Sequence, residues 1–304
     1  MTHQHHHHGT ATGRHRGRLA VVLVITVSVM LVEVVAGVLS GSLALLADAG
    51  HMLTDAAGVG MALFAAALAA RPATDVRTFG MQRAEVLAAL ANALLLGVVS
   101  IWVLIEAVRR WFSPAEVDTT LMLGAAVLGG LANAVSLMLL HRGQRESLNV
   151  RGAYLEVLGD LLGSVAVVVA GVVILTTGFV RADALASFVI ALMILPRALV
   201  LLRDVVDVLL EATPRGVDLE HVREHMRSVE GVVDVHDLHA WTITSGVPVL
   251  SAHIVVDDEW IEQGRYGEIL DRLGECLSGH FDVEHCTFQL EPVGHQAHEA
   301  AHHP

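Results

Sequence analysis

Two pairs of ionisable residues stand inside stretches that are otherwise apolar: His51 and Asp55 in "LLADAGHMLTDAAG", and Glu156 and Asp160 in "YLEVLGDLLGSV". Each pair is spaced i, i+4. Four residues turn an α-helix by about 400°, so each pair projects from one helix face, one turn apart. Were the two helices to pack face to face, three carboxylates and one imidazole would converge. That is a four-ligand set for a divalent cation, and tetrahedral coordination is what Zn²⁺ favours. Such ligands bind only when deprotonated, so cation and protons would compete for the same side chains. A single polar residue in a span is ordinarily explained by a hydrogen bond between helices. Two acidic pairs on separate helices are not, because each of four costly groups would need its own partner. Asp48, one turn before His51, is read as lining the access path to the site or as a helix contact. Glu33, Asn92 and Asn133 are read as hydrogen-bonding groups within the bundle. Gly50, Ala56, Gly58, Gly159, Gly163 and Ser164 would let the helices approach closely.

The elements that must hold these residues are long and apolar. The chain has 304 residues, of which 54% are hydrophobic and 17% charged, with a mean hydropathy of +0.58. A single soluble core cannot absorb that much apolar sequence. Runs at about 19–39, 43–70, 86–108, 119–140, 153–176 and 183–202 each approach the ~20 residues that span a bilayer. The expected class is an α-helical membrane protein with six transmembrane helices over 17–211. The first run lacks a convincing small-residue cleavage site and is expected to be retained. Every basic residue is arginine. Arg14, Arg16 and Arg18, then Arg71, Arg77 and Arg83, then Arg142, Arg145 and Arg151 fall on one set of connections, which places those segments and both termini in the cytoplasm.

After residue 212 the composition turns polar and acidic, marking a soluble domain over 212–293. Its patterns read helix, strand, strand, helix, strand, an α+β sandwich with helices on one face of the sheet. The formal net charge of −13 argues against a nucleic-acid partner. Cys276 and Cys286 both fall in this cytoplasmic domain, where reduced thiols are expected. His236, His239, His253, His285 and Glu291 lie at or beside the expected strands. Residues 1–16 carry six histidines, read as a disordered tail, a tag remnant or a metal-collecting segment; 294–304 carry four more and are expected to be disordered. An intramembrane hydrolase would need an open metal position and a separate base, and no HExxH helix occurs. No enzyme activity and no organic cofactor are expected.

With "GSLALLADAGHMLTD", "RTFGMQRAEVLAALANALLL", "GDLLGSV", "LLEATP", "HDLHAWTITSG" and "SAHIVV" in order, the chain resembles the cation diffusion facilitator family, bacterial zinc-resistance type, over about 17–292. The resemblance implies a homodimer in the cytoplasmic membrane, six spans per subunit and a cytoplasmic ferredoxin-like domain. It also implies export of a divalent metal, most often Zn²⁺, in exchange for protons. The family transport motif, HxxxD on two spans, maps onto His51 and Asp55 and onto Glu156 and Asp160. Glu156 stands where the zinc pattern has histidine, changing N₂O₂ to NO₃ and easing acceptance of Co²⁺, Fe²⁺, Mn²⁺ or Cd²⁺. The resemblance further implies a regulatory zinc site at His236, His253 and Glu291, with His285 and Cys286 near a further ligand position. The alternative of a different class is a membrane-anchored metal sensor or buffer without translocation.

Overall fold

The computed structural model describes residues 11–141, 148–244, 246–280 and 285–295; side chains are described from Leu19 onward, and not for 148, 149 or 278–280. Cα packing divides the chain into two units, Ala91–Leu201 with the residues up to Met61, and Ala62–Leu90 with the residues from Leu202 onward. This division cuts elsewhere than the composition break at 211/212, because the segment linking the second and third helices packs with the soluble residues. Arg83 donates to Glu211 Oε1 at 2.9 Å, Thr244 donates to Glu85 Oε2 at 2.9 Å, and the Phe79 ring meets the His285 ring edge-on at 5.9 Å.

Six long helices come first: α1 Ala11–Ser40, α2 Leu43–Ala69, α3 Ala84–Phe112, α4 Thr119–Leu140, α5 Leu148–Thr177 and α6 Arg181–Leu209. All six are long and apolar enough to cross a membrane, the first counted from Leu19. α1 starts at Ala11, so helix covers 11–16 where tail is expected; the segment continues the helical backbone of the span although Gly13 and Gly17 are poor helix formers. Residues 1–10 and 296–304, which hold most of the two histidine tails, lie outside the described residues, as do Arg142, Arg145 and the side chains of Arg14, Arg16 and Arg18.

The first unit's core joins Ala36, Leu45, Leu96, Met122, Val167, Ile174, Ile190 and Ile194, drawn from all six helices. Large apolar side chains such as Leu63, Phe64, Val98, Trp102, Met138 and Leu175 are at least half exposed. A water-soluble protein would bury these; in a bilayer they meet lipid. One buried anchor sets the start of α2. Asp183 of α6, 2% exposed, accepts hydrogen bonds from Ser42 Oγ (2.6 Å) and the backbone N–H groups of Leu43 (2.9 Å) and Ala44 (3.2 Å). It thus caps the α2 N-terminus from another helix, where orphan N–H groups and the helix dipole favour a carboxylate. Arg110 supports it, 3.7 Å from Asp183 Oδ2 and donating to the Gly41 carbonyl at 2.6 Å.

The soluble residues fold as α7 Leu219–Arg227, β1 Val232–Thr242, β2 Pro248–Val256, α8 Asp258–Glu262, α9 Tyr266–His280 and β3 His285–Pro292. The α-β-β-α-β order is met with one addition, α8. Five residues are too few to show helical periodicity, and α8 depends on local contacts: Asp257 caps it through the Glu259 N–H, and buried Trp260 anchors it. The sheet order is β1-β2-β3, with β1 and β2 antiparallel and β2 and β3 parallel. The α9 crossover is what permits the parallel pair. Val222, Met226, Val235, Leu250, Ile254, Ile269, Leu273 and Leu277 form the core between sheet and helices.

Gly231, at φ 92°, lies against the Trp260 ring, where an added Cβ would sit 2.8 Å from a ring carbon. Both the left-handed backbone and the close approach require glycine there. Gly231→Ala is expected to destabilise the soluble domain by about 1–3 kcal/mol. Urea unfolding followed by tryptophan fluorescence checks this; an unchanged midpoint would contradict it.

Candidate metal centre

His51 and Asp55 lie on α2, Glu156 and Asp160 on α5, and all four belong to the first unit. The i, i+4 spacing works as expected: His51 Nε2 is 3.6 Å from Asp55 Oδ2 on its own helix and 4.0 Å from Asp160 Oδ1 on α5. Bonds of 2.0–2.1 Å around a tetrahedral Zn²⁺ put ligand atoms about 3.3 Å apart, so these groups stand within small adjustments of coordination. His51 is 6% and Asp160 4% exposed. His51 Nδ1 and Asp160 Oδ1 have no hydrogen-bond partner among the described residues, which leaves them available to a cation. Thr54 Oγ1 donates to the His51 carbonyl at 2.7 Å, holding the α2 turn.

Glu156 and His51 face a cavity of about 470 Å³ whose walls also include Asp48, Gly152, Gly159, Gly163, Met193 and Arg197. Asp48, 1% exposed, is seated against Gly163 of α5, where any side chain would collide with its carboxylate, and accepts from Ser164 Oγ at 3.5 Å. The small residues therefore serve the site as well as the helix approach. Gly58 does the same for Asn92, which would clash with a Cβ there.

One expectation changes, and two residues were missed. Glu33 and Asn133, each fully buried, have no hydrogen-bond partner for their side-chain polar atoms among the described residues, and neither does Asn92 Oδ1. Among the described residues, Glu33 and Asn133 thus make none of the bundle hydrogen bonds that their residue types suggest. Arg197, on α6, was not singled out in the sequence although it shares the cavity with Glu156. The signal was present: a lone arginine inside the last apolar run costs as much on insertion as the acidic residues do. Asp183 was likewise missed, since a cap supplied from another helix has no local motif.

In the soluble residues, His236 of β1 and His253 of β2 are directly paired across the strands, their rings 5.1 Å apart. Glu291 of β3, 2% exposed, reaches both: Oε2 lies 3.2 Å from His236 Nε2, and Oε1 lies 2.8 Å from His253 Nδ1. One ligand atom from each of the three lies within 4.8 Å of the others, and the chemistry, two imidazoles and a carboxylate, fits a zinc-type cation. A β-bulge between His236 and His239 helps to arrange this, with Asp237 at φ 49°, a conformation Asp tolerates. Asp237 Oδ1 is held by His239 Nε2 at 3.0 Å, and its Oδ2 is 3.8 Å from His253 Nε2, which makes it an acidic neighbour that the sequence reading did not name. His285 and Cys286 begin β3, five to six residues and roughly 16–20 Å of extended chain before Glu291, and are not part of this group.

Burial works to raise the Glu291 carboxyl, but the Gln289 amide donor at 2.7 Å and the neighbouring His253 and His236 rings outweigh it and hold it below its ordinary value of 4.5. A depressed folded-state value means that this carboxylate's contribution to stability is complete above about pH 4.5 and is lost as pH falls through the lower value. Burial of Cys276 and Cys286 pushes both thiols up, in keeping with unreactive, reduced cysteines.

Comparison with known proteins bears on this arrangement. The family model described as the cation efflux transmembrane domain matches residues 19–210, and that described as the cation efflux protein cytoplasmic domain matches residues 214–293. The chain belongs to the cation diffusion facilitator family. Relatives of this family include the metal cation efflux system protein CzcD of Cupriavidus metallidurans, 44% identical over 90% of this chain and 86% of that protein. The zinc transporter ZitB of Escherichia coli is 44% identical over 86% of this chain and 83% of its own. A cadmium, cobalt and zinc/H⁺-K⁺ antiporter of Bacillus subtilis is 38% identical over 88% and 86%. Among solved structures, the metal-bound C-terminal domain of CzcD is 37% identical over 25% of this chain and 99% of that one, with a TM-score of 0.23. A diffusion facilitator is a transporter of divalent metal cations and not an enzyme. This one is a multi-pass membrane protein whose C-terminal domain is cytoplasmic.

Proposed function

We propose that the chain exports a divalent metal cation, Zn²⁺ foremost, from the cytoplasm through the His51, Asp55, Glu156 and Asp160 site in exchange for protons. The observation that carries the reading is the convergence of the two i, i+4 pairs, with His51 Nε2 3.6 Å from Asp55 and 4.0 Å from Asp160, beside a cavity that Glu156 lines. A sensor or buffer needs no ligands at bilayer depth, and a cavity leading to them serves passage.

In this reading, cation arriving from the cytoplasm takes up the carboxylates and the imidazole as they lose protons, and Asp48, one turn nearer the far side, lines its way out. Protons from the other side displace it once the helices reorient, because metal and protons compete for the same lone pairs. Zinc is preferred among N/O sites on intrinsic affinity over Mn²⁺, Fe²⁺ and Co²⁺, while the third carboxylate widens tolerance toward those ions and Cd²⁺. Relatives named for zinc, and for cadmium, cobalt and zinc, support that order. Two chains pair in the cytoplasmic membrane with both termini inside. Metal held by His236, His253 and Glu291 draws the two soluble domains together and favours the transporting state.

Proteoliposomes loaded with a zinc dye and a pH dye test the coupling. Zinc influx should raise proton counterflow, and collapsing an imposed pH gradient should slow zinc flux; flux indifferent to both would exclude antiport. For the cytoplasmic site, Glu291→Gln should weaken zinc binding at pH 7 by about ten- to a hundredfold, read by calorimetry on the purified chain carrying Asp160→Ala. Unaltered binding would remove Glu291 from the ligand set.

A further inference from the structure

Arg197 stands 16 residues into α6, roughly 24 Å along the helix, in the middle of an apolar run. A guanidinium keeps its charge under all conditions a protein meets, so at that depth it must face water or a counter-charge. The cavity offers both. Arg197 lines it together with His51, Glu156 and Asp48. The connection between α5 and α6 is only three residues, 178–180, so the two helices run antiparallel. Counted from that turn, Arg197 falls level with about residue 161 of α5, at the height of Asp160 and between Glu156 and Gly163.

Charge arithmetic gives this placement a meaning. Three ionised carboxylates around a neutral imidazole carry −3, one more negative charge than a divalent cargo can cancel. With Arg197 counted, these four residues and the guanidinium together carry −2, matching the cargo; Asp48, whose carboxylate is seated against Gly163 and Ser164, is left out of this sum. The geometry points to Arg197 as a specificity-determining residue of the transport site, a tethered cation that offsets the charge of Glu156 and yields that carboxylate to an incoming divalent metal. The idea rests on the transport reading above and adds to it a reason why a carboxylate is tolerated at position 156. Without Arg197 the site keeps a net negative charge when loaded. It then holds metal more tightly and releases it more slowly. The effect should exist only while Glu156 is charged.

The test is a mutant cycle on the full-length protein in proteoliposomes, with initial rates measured for Zn²⁺, Co²⁺ and Mn²⁺ in wild type, Arg197→Met, Glu156→Gln and the double variant. Arg197→Met should lower KM for zinc about fivefold and lower kcat as release slows. In the Glu156→Gln background the same change should move KM less than twofold. Arg197→Lys, which keeps the charge, should restore KM toward wild type and guards against a folding defect in Arg197→Met. Equal KM shifts in both backgrounds, or none in either, would overturn the inference. Asp160→Ala run alongside separates the two ideas. If that variant still transports, the site reading fails; if it does not, and Arg197 and Glu156 fail to couple, only the role of Arg197 falls.

Discussion

Asp160→Ala is expected to reduce initial zinc uptake into inside-out vesicles by about a hundredfold or more at unchanged protein content of the membrane. Asp160 is 4% exposed, its Oδ1 faces His51 at 4.0 Å, and Oδ1 has no hydrogen-bond partner among the described residues. Its removal leaves three donors for a tetrahedral ion. Loss of a supporting residue around a metal already costs ten- to a hundredfold, so loss of a ligand should cost at least that. Asp160→Asn, similar in size but poorer as a ligand, should behave nearly as badly, which separates ligation from packing. Near-normal flux in both variants would show that the cation does not pass through this group.

The second large effect is expected at position 156. Glu156→His converts three oxygens and one nitrogen into two of each, a softer and less negative set that favours Zn²⁺ over Mn²⁺ and Co²⁺. The ratio of zinc to manganese transport efficiency, measured over a metal panel in the same vesicles, should rise by about tenfold. A ratio unchanged within twofold would mean that Glu156 lines the path without choosing the ion. The two substitutions probe different things. Asp160 tests whether the site carries cargo, whereas Glu156 tests which cargo it prefers.

Much of this was open to reading along the chain. Six apolar runs of bilayer length announced six helices, because nothing but a helix satisfies its own backbone in lipid. The i, i+4 spacing of His51 with Asp55, and of Glu156 with Asp160, announced two ligand-bearing faces, because helical periodicity is a local property. The strand and helix order after residue 212 followed from patterns of the same local kind. α8 escaped because five residues carry no period, and its stability comes from Asp257 and from the burial of Trp260. His236 and His253 were individually visible, but their cross-strand pairing depends on a register that the bulge at Asp237 shifts.

What the sequence by itself determined was the number of spans, the faces that bear ligands and the existence of a separate acidic domain. Each of these is written in residues within a few turns of one another. Tertiary structure decided what those faces meet. It brought α5 against α2 so that Asp160 reaches His51, used Asp183 of α6 to cap α2, and seated Asp48 against Gly163. It also left Glu33 and Asn133 without the hydrogen bonds their types suggest, and turned Arg197 into the cavity that Glu156 lines. These are contacts between residues up to 141 positions apart, Ser42 and Asp183 being the most distant. No local period encodes such distances; only the packing of whole helices sets them.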